Sequence, residues 1–527
     1  MNTSGAWLTT AIETVNDWVW SPALVALCLL AGLYFSLRTR FVQVRRLREM
    51  VKLLFGGGTS KVKGEKRVGI SSFQAFAMAL SGRVGTGNIV GVATAIGFGG
   101  PGAIVWMWII AYYGACSAIV EATLAQIYKE NHNGQFRGGP AYYIEKGLHS
   151  PFMGCVFAVL AALACGIFLP PVQCNGIAQS CSQSFNVPVW GIGLIVAALI
   201  GLVIIGGVKR IANVAQIVAP VMAVIYILLS LVVLAVHWQL VPDVFMQMLR
   251  GAVGINEVSG ALLGTTIAWG VKRGIYSNEA GQGTGPIVAA AAKVSHPVKQ
   301  GLVQAFSVYI DTLLVCTATA MMILACKTYN IVTVDHSSGS AVVSYIQHNP
   351  GAHEGEPGVF YTSDALGSVV GSNAGDMIIS IALFFFAFTT IMAYYYYAET
   401  NLVYLFNRWR RRVYKKHPER LEELEREDMV LGDDRGEKIV VWALRIGTIS
   451  AVFVGSLAGT GIVWKVGDIG VGTMAWINVV AILLLSPKAL RTLRDYERQK
   501  KEGKEPVFDT RQLKIENAEF WEEGKNV

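Results

Sequence analysis

The sequence is poor in charge, since only 15% of its 527 residues are Asp, Glu, Lys or Arg, whereas 53% are hydrophobic. Ordinary soluble domains carry about 25% charged residues, so this shortage excludes that class. Long apolar runs follow one another between Leu24 and Leu485, separated by short polar joints. This pattern predicts one all-α integral membrane domain rather than several soluble ones.

The sequence also lacks the patterns of common hydrolases. It contains no HExxH and no GxSxG, and its eight cysteines include no CxxC pair. The eight histidines fall in loops or at helix ends, so neither a nucleophile with a base nor a metal cluster is expected at membrane depth. We therefore expect no enzyme, no catalytic residue and no cofactor. The net charge of +8 comes from Lys and Arg clustered in a few loops, which argues against a nucleic-acid partner.

Apolar runs of about 20 residues predict the membrane helices. Eleven such runs lie near residues 20–37, 72–97, 101–128, 152–182, 189–207, 212–237, 258–291, 300–327, 375–405, 439–460 and 465–486. Eleven crossings place every loop rich in Lys and Arg on one side, as the positive-inside rule requires. The loop 328–375 contains no Lys or Arg and should face outside. The prediction is an integral plasma (inner) membrane protein with its N-terminus outside and its C-terminus in the cytoplasm.

Two basic segments adjoin these helices. Phe41 to Phe55, FVQVRRLREMVKLLF, predicts a helix on the inner membrane surface, with its basic residues toward lipid phosphates. A solvated basic linker is the alternative. The tail 488–527 contains Pro506 and Trp521 and is predicted to pack on the inner face, with a gating or regulatory role as the alternative.

Two predicted helices contain interruptions. SGRVGTGNIVG, residues 81–91, has four glycines, and GVKRGIYSNEAGQGTGP, residues 270–286, has five glycines and a terminal proline. A single pair of small residues usually serves close helix packing, but this density favours local unwinding. Backbone groups freed by unwinding survive in a bilayer only where protein, water, substrate or an ion bonds them. The two breaks therefore predict a binding site.

The breaks also divide the chain symmetrically. Without the first helix, the remaining ten form two sets of five, and each break lies in the first helix of its set. Because five crossings are an odd number, the two sets have opposite orientations. This is the pattern of an inverted-repeat secondary transporter with its site at the bilayer midplane. The predicted units are residues 1–70 for the extra helix and basic segment, 71–257 and 258–487 for the two repeats, and 488–527 for the tail.

The chemistry of the breaks suits an amino acid and a cation. Half-helix N-termini offer free N–H groups to a carboxylate, while freed carbonyls and hydroxyls are hard ligands for a small cation. The side chains at the breaks are mainly Ser81, Thr86, Asn88, Ser277, Asn278 and Thr284. None of them titrates near neutral pH, which favours Na⁺ over H⁺ as the coupling ion, although Glu279 is adjacent. An H⁺-coupled symporter stays open, and a channel is the further alternative.

Four long motifs resemble the alanine or glycine:cation symporter family, the sodium:alanine symporters. They are SGRVGTGNIVGVATAIGFGGPGAIVWMW, GQFRGGPAYYIEKGL, RGIYSNEAGQGTGPIVAAAA with HPVKQG, and FAFTTIMAYYYYAETN. The resemblance runs from about the first to the eleventh helix. It implies a LeuT-like 5+5 core preceded by one extra helix. It also implies Na⁺-coupled uptake of a small neutral amino acid, alanine or glycine.

The resemblance implies roles for individual residues. The substrate carboxylate would lie near the backbone of Gly85, Thr86 and Gly87, with Asn88 beside it, and Gln173 would touch the substrate. The pocket would be lined by Thr390 and Ile391. A Na⁺ site would be formed by the hydroxyls of Thr389 and Thr390 and the carbonyls of Ser81 and Val84.

One departure concerns the size of the pocket. Many family members have Gly-Trp where this chain has Ala393 and Tyr394. A difference of one methylene changes affinity by only about 1 to 3 kcal/mol. The sequence therefore leaves open alanine, glycine or a larger substrate, and it leaves the oligomeric state open as well.

Ionisable residues at membrane depth are usually paired or functional. Six fall within the predicted spans: Arg83, Glu121, Arg273, Glu279, Asp311 and Glu399. Asp311 lies half way along the eighth helix and most needs a partner, which Arg83 or Arg273 could supply. An interior ion pair and a gate or proton carrier are equal alternatives for it. Glu121 and Glu399 lie toward inner ends and are expected to reach the interface.

Overall fold

The computed structural model of the protein describes residues 3–55, 69–132, 134–255, 262–335, 342–414, 419 and 435–522. Within these residues the chain is almost entirely helical, with two short antiparallel hairpins, and its long apolar helices are those of an integral membrane protein. We number the helices and strands in chain order.

The N-terminal part consists of helices α1 (Thr3–Val19), α2 (Pro22–Arg38), α3 (Val42–Arg45) and α4 (Leu47–Phe55). Proline in the first turn of α2 suits a helix start, because the missing N–H has no partner there anyway. In α4, Met50 and Leu54 are buried while Arg48 and Lys52 are exposed. The prediction of helix in this basic segment is thus confirmed, as two helices over 42–45 and 47–55, whereas its place on the inner membrane surface stays a prediction; the basic residues at 61–67 lie outside the described residues.

The first predicted break is confirmed. Helix α5 (Ser72–Arg83) begins with a capping box, in which Ser71 and Gln74 exchange side-chain to backbone hydrogen bonds of 3.0 and 3.1 Å. The helix is interrupted at residues 84–85. A π-helical turn, Gly87–Gly91, and helix α6 (Val92–Gly99) then continue the chain.

The central helices follow in chain order. They are α7 (Ala103–Ile127), α8 (Pro140–Leu148), α9 (Pro151–Leu163) with α10 (Leu169–Phe185) joined by the π-helical Ala164–Phe168, α11 (Val189–Ile204), α12 (Gly207–Val236) and α13 (Val241–Ala252). Hairpin β1 (Glu130–His132) and β2 (Gln135–Arg137) follows α7. A short 3₁₀ turn, Trp238–Leu240, precedes α13.

The second predicted break is confirmed as well. Helix α14 (Leu263–Asn278) stops at a non-helical turn, and helix α15 (Gly285–Ala291) resumes after it. Within the turn, Glu279, Gly281 and Gly283 have φ of +57°, +83° and +93°. These left-handed conformations explain the glycines, because a side chain is strained there. The end of α15 pairs with the start of the first broken helix, since Ile70 N donates to Ala291 O over 3.1 Å.

The remaining elements are α16 (Pro297–Val308) and α17 (Thr317–Cys326) joined by the π-helical Tyr309–Cys316, hairpin β3 (Ile331–Asp335) and β4 (Val342–Gln347), α18 (Phe360–Val370), α19 (Ser372–Val413), α20 (Arg435–Leu457), α21 (Thr460–Lys501), α22 (Thr510–Leu513) and α23 (Glu519–Glu522). The described part of the tail packs onto the protein, as predicted. Trp521 Nε1 donates to Gln126 O over 2.9 Å, and Phe508 N donates to Ser295 O over 3.0 Å.

Eight described helices are long and apolar enough to cross a membrane. The other three predicted spans are short or interrupted: residues 72–99 and 263–291 contain the breaks, and Val189–Ile204 has 16 residues. A length criterion passes over such segments because unwinding divides them. Eleven crossings therefore stay a prediction.

Candidate functional site

The two breaks lie against each other in the core. Arg83, at the end of α5, donates from Nε to the carbonyl of Asn278, the last residue of α14, over 2.7 Å. A Cβ placed on Gly87 would lie 3.4 Å from the Cα of Ser277. The two interrupted segments thus pack directly against each other.

The N–H groups of the first break are held by amide side chains. Gly85 N donates to Asn88 Oδ1 over 2.8 Å, and Thr86 N donates to Gln173 Oε1 over 3.0 Å. Gln173 comes from α10, so the structure brings it onto the predicted carboxylate-binding backbone. An oxygen atom occupies the place that each N–H offers, which is what a carboxylate oxygen would do.

The oxygens predicted to bind Na⁺ also converge. The Thr390 hydroxyl, on α19, lies 2.8 Å from Ser81 O, 3.2 Å from Val84 O and 3.0 Å from Phe386 O. Sequence reasoning missed the Phe386 carbonyl, although its position four residues before Thr390 on one helix is the signal that could have identified it. The Thr389 hydroxyl instead faces Phe386 O at 3.0 Å and the Met222 sulfur at 3.9 Å.

Glycine at position 85 is required by the close approach of two side chains. A Cβ on Gly85 would lie 2.5 Å from Thr390 Oγ1 and 2.8 Å from Gln173 Oε1, which is closer than Cβ atoms approach other atoms in proteins. Gln173, which is predicted to touch the substrate, and Thr390, which is predicted to bind Na⁺, thus meet at this glycine.

The remaining predicted pocket residues are buried but differ in their contacts. Ile391 and Tyr394 are on α19, and the Tyr394 ring lies 6.0 Å from the Tyr397 ring. Asn278 Oδ1 accepts from Ala280 N over 2.9 Å and so forms a local turn directly after α14. The Ser277 hydroxyl bonds the Asp311 carboxylate. The structure therefore places Ser277 toward α16 and α17 rather than toward Gln173.

Several buried polar atoms at the breaks have no hydrogen-bond partner within the described part of the chain. They include Thr86 Oγ1, Tyr276 Oη, Asn278 Nδ2, Glu279 Oε1 and Thr284 Oγ1. Leaving such an atom unsatisfied costs about 1–3 kcal/mol, so orphaned atoms cluster where a ligand or water binds. Tyr276 is a residue that sequence reasoning missed, because only the small polar side chains of the second break were considered there.

Neither predicted partner of Asp311 forms an ion pair with it, although the charge of Arg83 attracts the Asp311 carboxylate. Arg83 and Asp311 both lie in the core, but among the described residues no Lys or Arg forms an ion pair with Asp311. The Arg83 guanidinium instead donates hydrogen bonds to Asn278 O, to Gln304 Oε1 and to Ser307 Oγ. Glu279 accepts a hydrogen bond from the Tyr397 hydroxyl over 3.3 Å.

Arg273 has a different partner from the one expected. Its two terminal nitrogens lie 3.0 and 2.8 Å from the two carboxylate oxygens of Asp468, on α21, and Lys272 lies 2.7 Å from the same group. Trp464 covers the Arg273 guanidinium at 4.8 Å. Asp468 was missed, although an aspartate inside the predicted span 465–486 was a signal for an intramembrane charge.

This ion pair lies at the wall of a cavity of about 1180 Å³. The cavity is also lined by the first broken helix at Val90 and Thr94, by α10 at Gly176, and by the segment 356–360. The Arg273–Asp468 pair and Trp464 thus lie where the cavity meets the segment that contains the second break.

The expectation that Glu121 and Glu399 reach the interface is wrong. Glu121 is fully buried, and its carboxylate accepts from Gly281 N over 3.3 Å and from Asn478 Nδ2 over 2.9 Å. Glu399 is buried and pairs with Arg137 over 2.9 Å. Partners from other elements satisfy both carboxylates, so neither has to extend to the interface.

Two broken helices that meet inside an apolar helical bundle, with free backbone groups and orphaned polar atoms between them, define a membrane transporter of the secondary type. The family model described as the sodium:alanine symporter family matches residues 5–417 and 431–510. The chain belongs to this family, which confirms the resemblance.

Three relatives illustrate the family. YrbD of Bacillus subtilis (strain 168) is 49% identical over 97% of this chain and 97% of its own length. A protein of Bacillus sp. (strain PS3) named "Sodium/proton-dependent alanine carrier protein" is 43% identical over 90% of this chain and 97% of its own length. A Bacillus subtilis protein named "Probable sodium/glutamine symporter GlnT" is 41% identical over 97% of this chain and 95% of its own length.

Proposed function

We propose that the protein couples the inward flow of Na⁺ to the uptake of a small neutral amino acid, alanine or glycine, by alternating access. The observation that carries the proposal is the contact between the two breaks, from Arg83 Nε to Asn278 O. Family membership supports cation-coupled transport of alanine. The choice of ion and substrate rests on the site.

The substrate carboxylate is assigned to the backbone N–H groups of Gly85, Thr86 and Gly87. Amide oxygens of Asn88 and Gln173 accept from the first two of these groups. A substrate carboxylate that replaces the Gln173 oxygen would accept the same hydrogen bond from Thr86 N. Because the carboxylate is charged, this hydrogen bond is stronger than one to a neutral amide oxygen. Because the Gln173 amide also carries N–H donors, the side chain can turn them toward the carboxylate.

The Na⁺ is assigned to the carbonyls of Ser81, Val84 and Phe386 and the hydroxyl of Thr390. These oxygens already lie within 3.2 Å of the Thr390 hydroxyl oxygen. Oxygen ligands without a thiolate or imidazole suit a hard cation. The Thr389 hydroxyl would join them only after rotation away from Met222.

A small substrate is supported by the packing around the first break. A Cβ on Gly82 would lie 2.3 Å from the Tyr397 hydroxyl and 3.4 Å from the Ala393 Cβ, so α19 leaves little space here. Tyr394 and Ile391 are fully packed on the same helix. Alanine or glycine fits this surrounding better than glutamine, which is the substrate in the name of GlnT.

Alternating access is assigned to two sets of contacts around the site. On the cavity side, Arg273 and Asp468 close over the site. On the side of the site away from the cavity, Arg83 donates hydrogen bonds to Asn278 and Gln304, and Tyr397 donates one to Glu279. The positive-inside rule, applied to the basic loops, supports a cavity that faces outside and a C-terminal tail in the cytoplasm. We assign residues 71–257 and 258–487 to the two inverted repeats.

The competing functions are H⁺-coupled symport and a channel. Buried Glu121 and Glu279 favour the first, because protonated carboxyls can carry the coupling ion. A channel would need a continuous water path, whereas the Arg273–Asp468 pair lies across the path from the cavity to the breaks.

Uptake of radiolabelled alanine and glycine into proteoliposomes tests the proposal. An inward Na⁺ gradient should drive saturable accumulation, and an inward H⁺ gradient without Na⁺ should not. Thr390→Val keeps the volume and removes the hydroxyl, so the Na⁺ concentration for half-maximal uptake should rise about tenfold or more. Thr400→Val, on the same helix, should leave it unchanged. Uptake driven by H⁺ alone, or non-saturable flux, would exclude Na⁺ symport.

A further inference from the structure

The described part of the tail, residues 502–522, lies against one end of the second broken helix. Phe508 N donates to Ser295 O over 3.0 Å, just after α15. Lys299, in the first turn of α16, forms an ion pair with Glu505. The cavity is lined by α14, at the opposite end of this broken helix. The tail is therefore bonded to the connection between α15 and α16, on the side away from the cavity.

The tail also encloses a buried lysine that follows α7. The Lys129 ammonium lies 3.1 Å from Ala292 O, the first carbonyl after α15. It lies 4.4, 4.5 and 5.1 Å from the ring centres of Phe136, Phe520 and Trp521. Two of these three rings belong to the tail. Because the face of an aromatic ring attracts a cation, the tail stabilises the ammonium that bonds the end of the broken helix.

A chain of hydrogen bonds connects the tail to the same carbonyl through α7. Trp521 Nε1 donates to Gln126 O over 2.9 Å, and Gln126 Nε2 donates to Ala292 O over 2.9 Å. The Lys129 ammonium donates to Gln126 Oε1 over 2.8 Å. Trp521 thus acts on the end of the second broken helix through Gln126.

The position of the tail depends on these contacts. Its helices α22 and α23 have four residues each, and helices of this length are not stable by themselves. Hydrogen bonds, an ion pair and cation–π contacts join the tail to α7 and to residues 292–299. Water can replace such contacts after separation, so the tail can detach without leaving buried polar groups unsatisfied.

The tail continues α21, and α21 contacts the second broken helix at two further points. Asp468 binds Arg273 at the cavity, and Asn478 Nδ2 donates to Gly281 O over 2.9 Å on the side away from the cavity. On the proposed function, on which this step rests, a path from the breaks to that side opens between the elements that close it. The end of α15 must then move relative to α21, and the tail joins these two elements.

We propose that residues 502–522 form a strap between α21 and the end of the second broken helix, which holds the side away from the cavity closed and detaches each time that side opens. Trp521 is its positioning residue, because it acts on the broken helix through Gln126. The contacts of the strap exist only in the closed state and therefore stabilise that state relative to the open one.

Reversible crosslinking of the strap tests this proposal. The half-buried Cys155 and Cys326 are first replaced by serine, since the other cysteines are buried. Lys299→Cys combined with Glu505→Cys then places one thiol on each side of the contact. A bifunctional methanethiosulfonate should reduce Na⁺-driven alanine uptake at least about tenfold, because the tie prevents a state that every transport cycle visits. A reductant should restore the uptake.

Gln499→Cys combined with Val507→Cys is the matched control. Gln499 Nε2 donates to Val507 O over 2.9 Å, so this pair ties the tail only to α21 and leaves it free to separate from α16. Its crosslinked form should keep the uptake rate. Uptake before crosslinking shows that each protein is folded. Full uptake by the crosslinked Lys299→Cys and Glu505→Cys protein, or equal inhibition of both proteins, would overturn the proposal.

Trp521→Ala tests the strap without cysteines. Exchange of labelled for unlabelled alanine, with equal Na⁺ on both sides of the vesicle membrane, should become about threefold faster or more, because a hydrogen bond and a cation–π contact of the closed state are lost. Trp521→Phe keeps a ring beside Lys129, and its exchange rate should lie between those of wild type and Trp521→Ala. A lower melting temperature of Trp521→Ala with an unchanged exchange rate would show that the tail only stabilises the fold. If wild type shows no Na⁺-driven uptake, the proposed function fails, whereas faster exchange in Trp521→Ala would still support the strap.

Discussion

Replacing Gly85 by alanine tests the site most directly, because one methyl group would contact both Thr390, the predicted Na⁺ ligand, and Gln173, the predicted substrate-binding residue. Its Cβ would lie 2.5 Å from Thr390 Oγ1 and 2.8 Å from Gln173 Oε1. The methyl group can be accommodated if Thr390 turns away from Ser81 O and Val84 O. Binding of Na⁺ requires Thr390 to return, so the strain appears as lost affinity for the ion.

The size of the effect follows from these contacts. Overpacking costs about 1–3 kcal/mol, and the lost hydroxyl hydrogen bond about 1 kcal/mol. A total of about 2–4 kcal/mol raises the Na⁺ concentration for half-maximal uptake roughly 30- to 800-fold. Na⁺ titration of alanine uptake in proteoliposomes measures this shift.

Gly91 supplies the matched control on the same broken helix. A Cβ on Gly91 has its nearest neighbour, the Arg273 Cδ, at 3.7 Å, which is an ordinary contact. Gly91→Ala should therefore leave the Na⁺ dependence close to that of wild type. Equal shifts in the two variants, or a shift below about twofold in Gly85→Ala, would refute the reasoning, since a twofold change is only about 0.4 kcal/mol.

Two further predictions concern the substrate and the cavity side. Gln173→Glu keeps the oxygen near Thr86 N but adds a charge that repels the substrate carboxylate, so the KM for alanine should rise about tenfold or more. Gln179→Glu, on the same helix, is the control and should not change the KM. An unchanged KM in Gln173→Glu would contradict the assigned carboxylate position. Asp468→Asn removes the charge that pairs with Arg273, and loss of one partner of a buried pair costs about 3–5 kcal/mol. The maximal uptake rate of Asp468→Asn should fall at least about tenfold. Asp17→Asn, in the same cavity, is the control and should have the wild-type rate. A normal rate in a normally expressed Asp468→Asn protein would show that the pair does not close the site.

The sequence predicted the breaks because unwinding has a local cause. Glycines 281 and 283 adopt φ values that other residues avoid, and this requirement is visible in the sequence itself. The same holds for α4, residues 47–55, whose apolar and basic residues alternate with the helical period. Local conformational preferences therefore gave the positions of the breaks to within a few residues.

The partners of the buried charges could not be predicted in the same way. Arg273 pairs with Asp468, which is 195 residues away, and Glu121 binds Asn478 across a still longer separation. Such contacts depend on how helices pack in three dimensions, whereas spacing along the chain reports only neighbours on one helix. For the same reason, the sequence could not show that the Thr389 hydroxyl faces Met222.

Helix α21 connects the two sides of the site through these unpredicted contacts. Asp468 binds Arg273 at the cavity side, and Asn478 binds both Glu121 and the carbonyl of Gly281 on the other side of the second break. The two residues are ten positions apart, or about 15 Å along a helix. A shift of a rigid helix along its axis moves both points together. On the proposed mechanism, an axial shift of α21 that separates Asp468 from Arg273 also moves Asn478 away from Gly281, which couples opening on one side to the contacts that close the other.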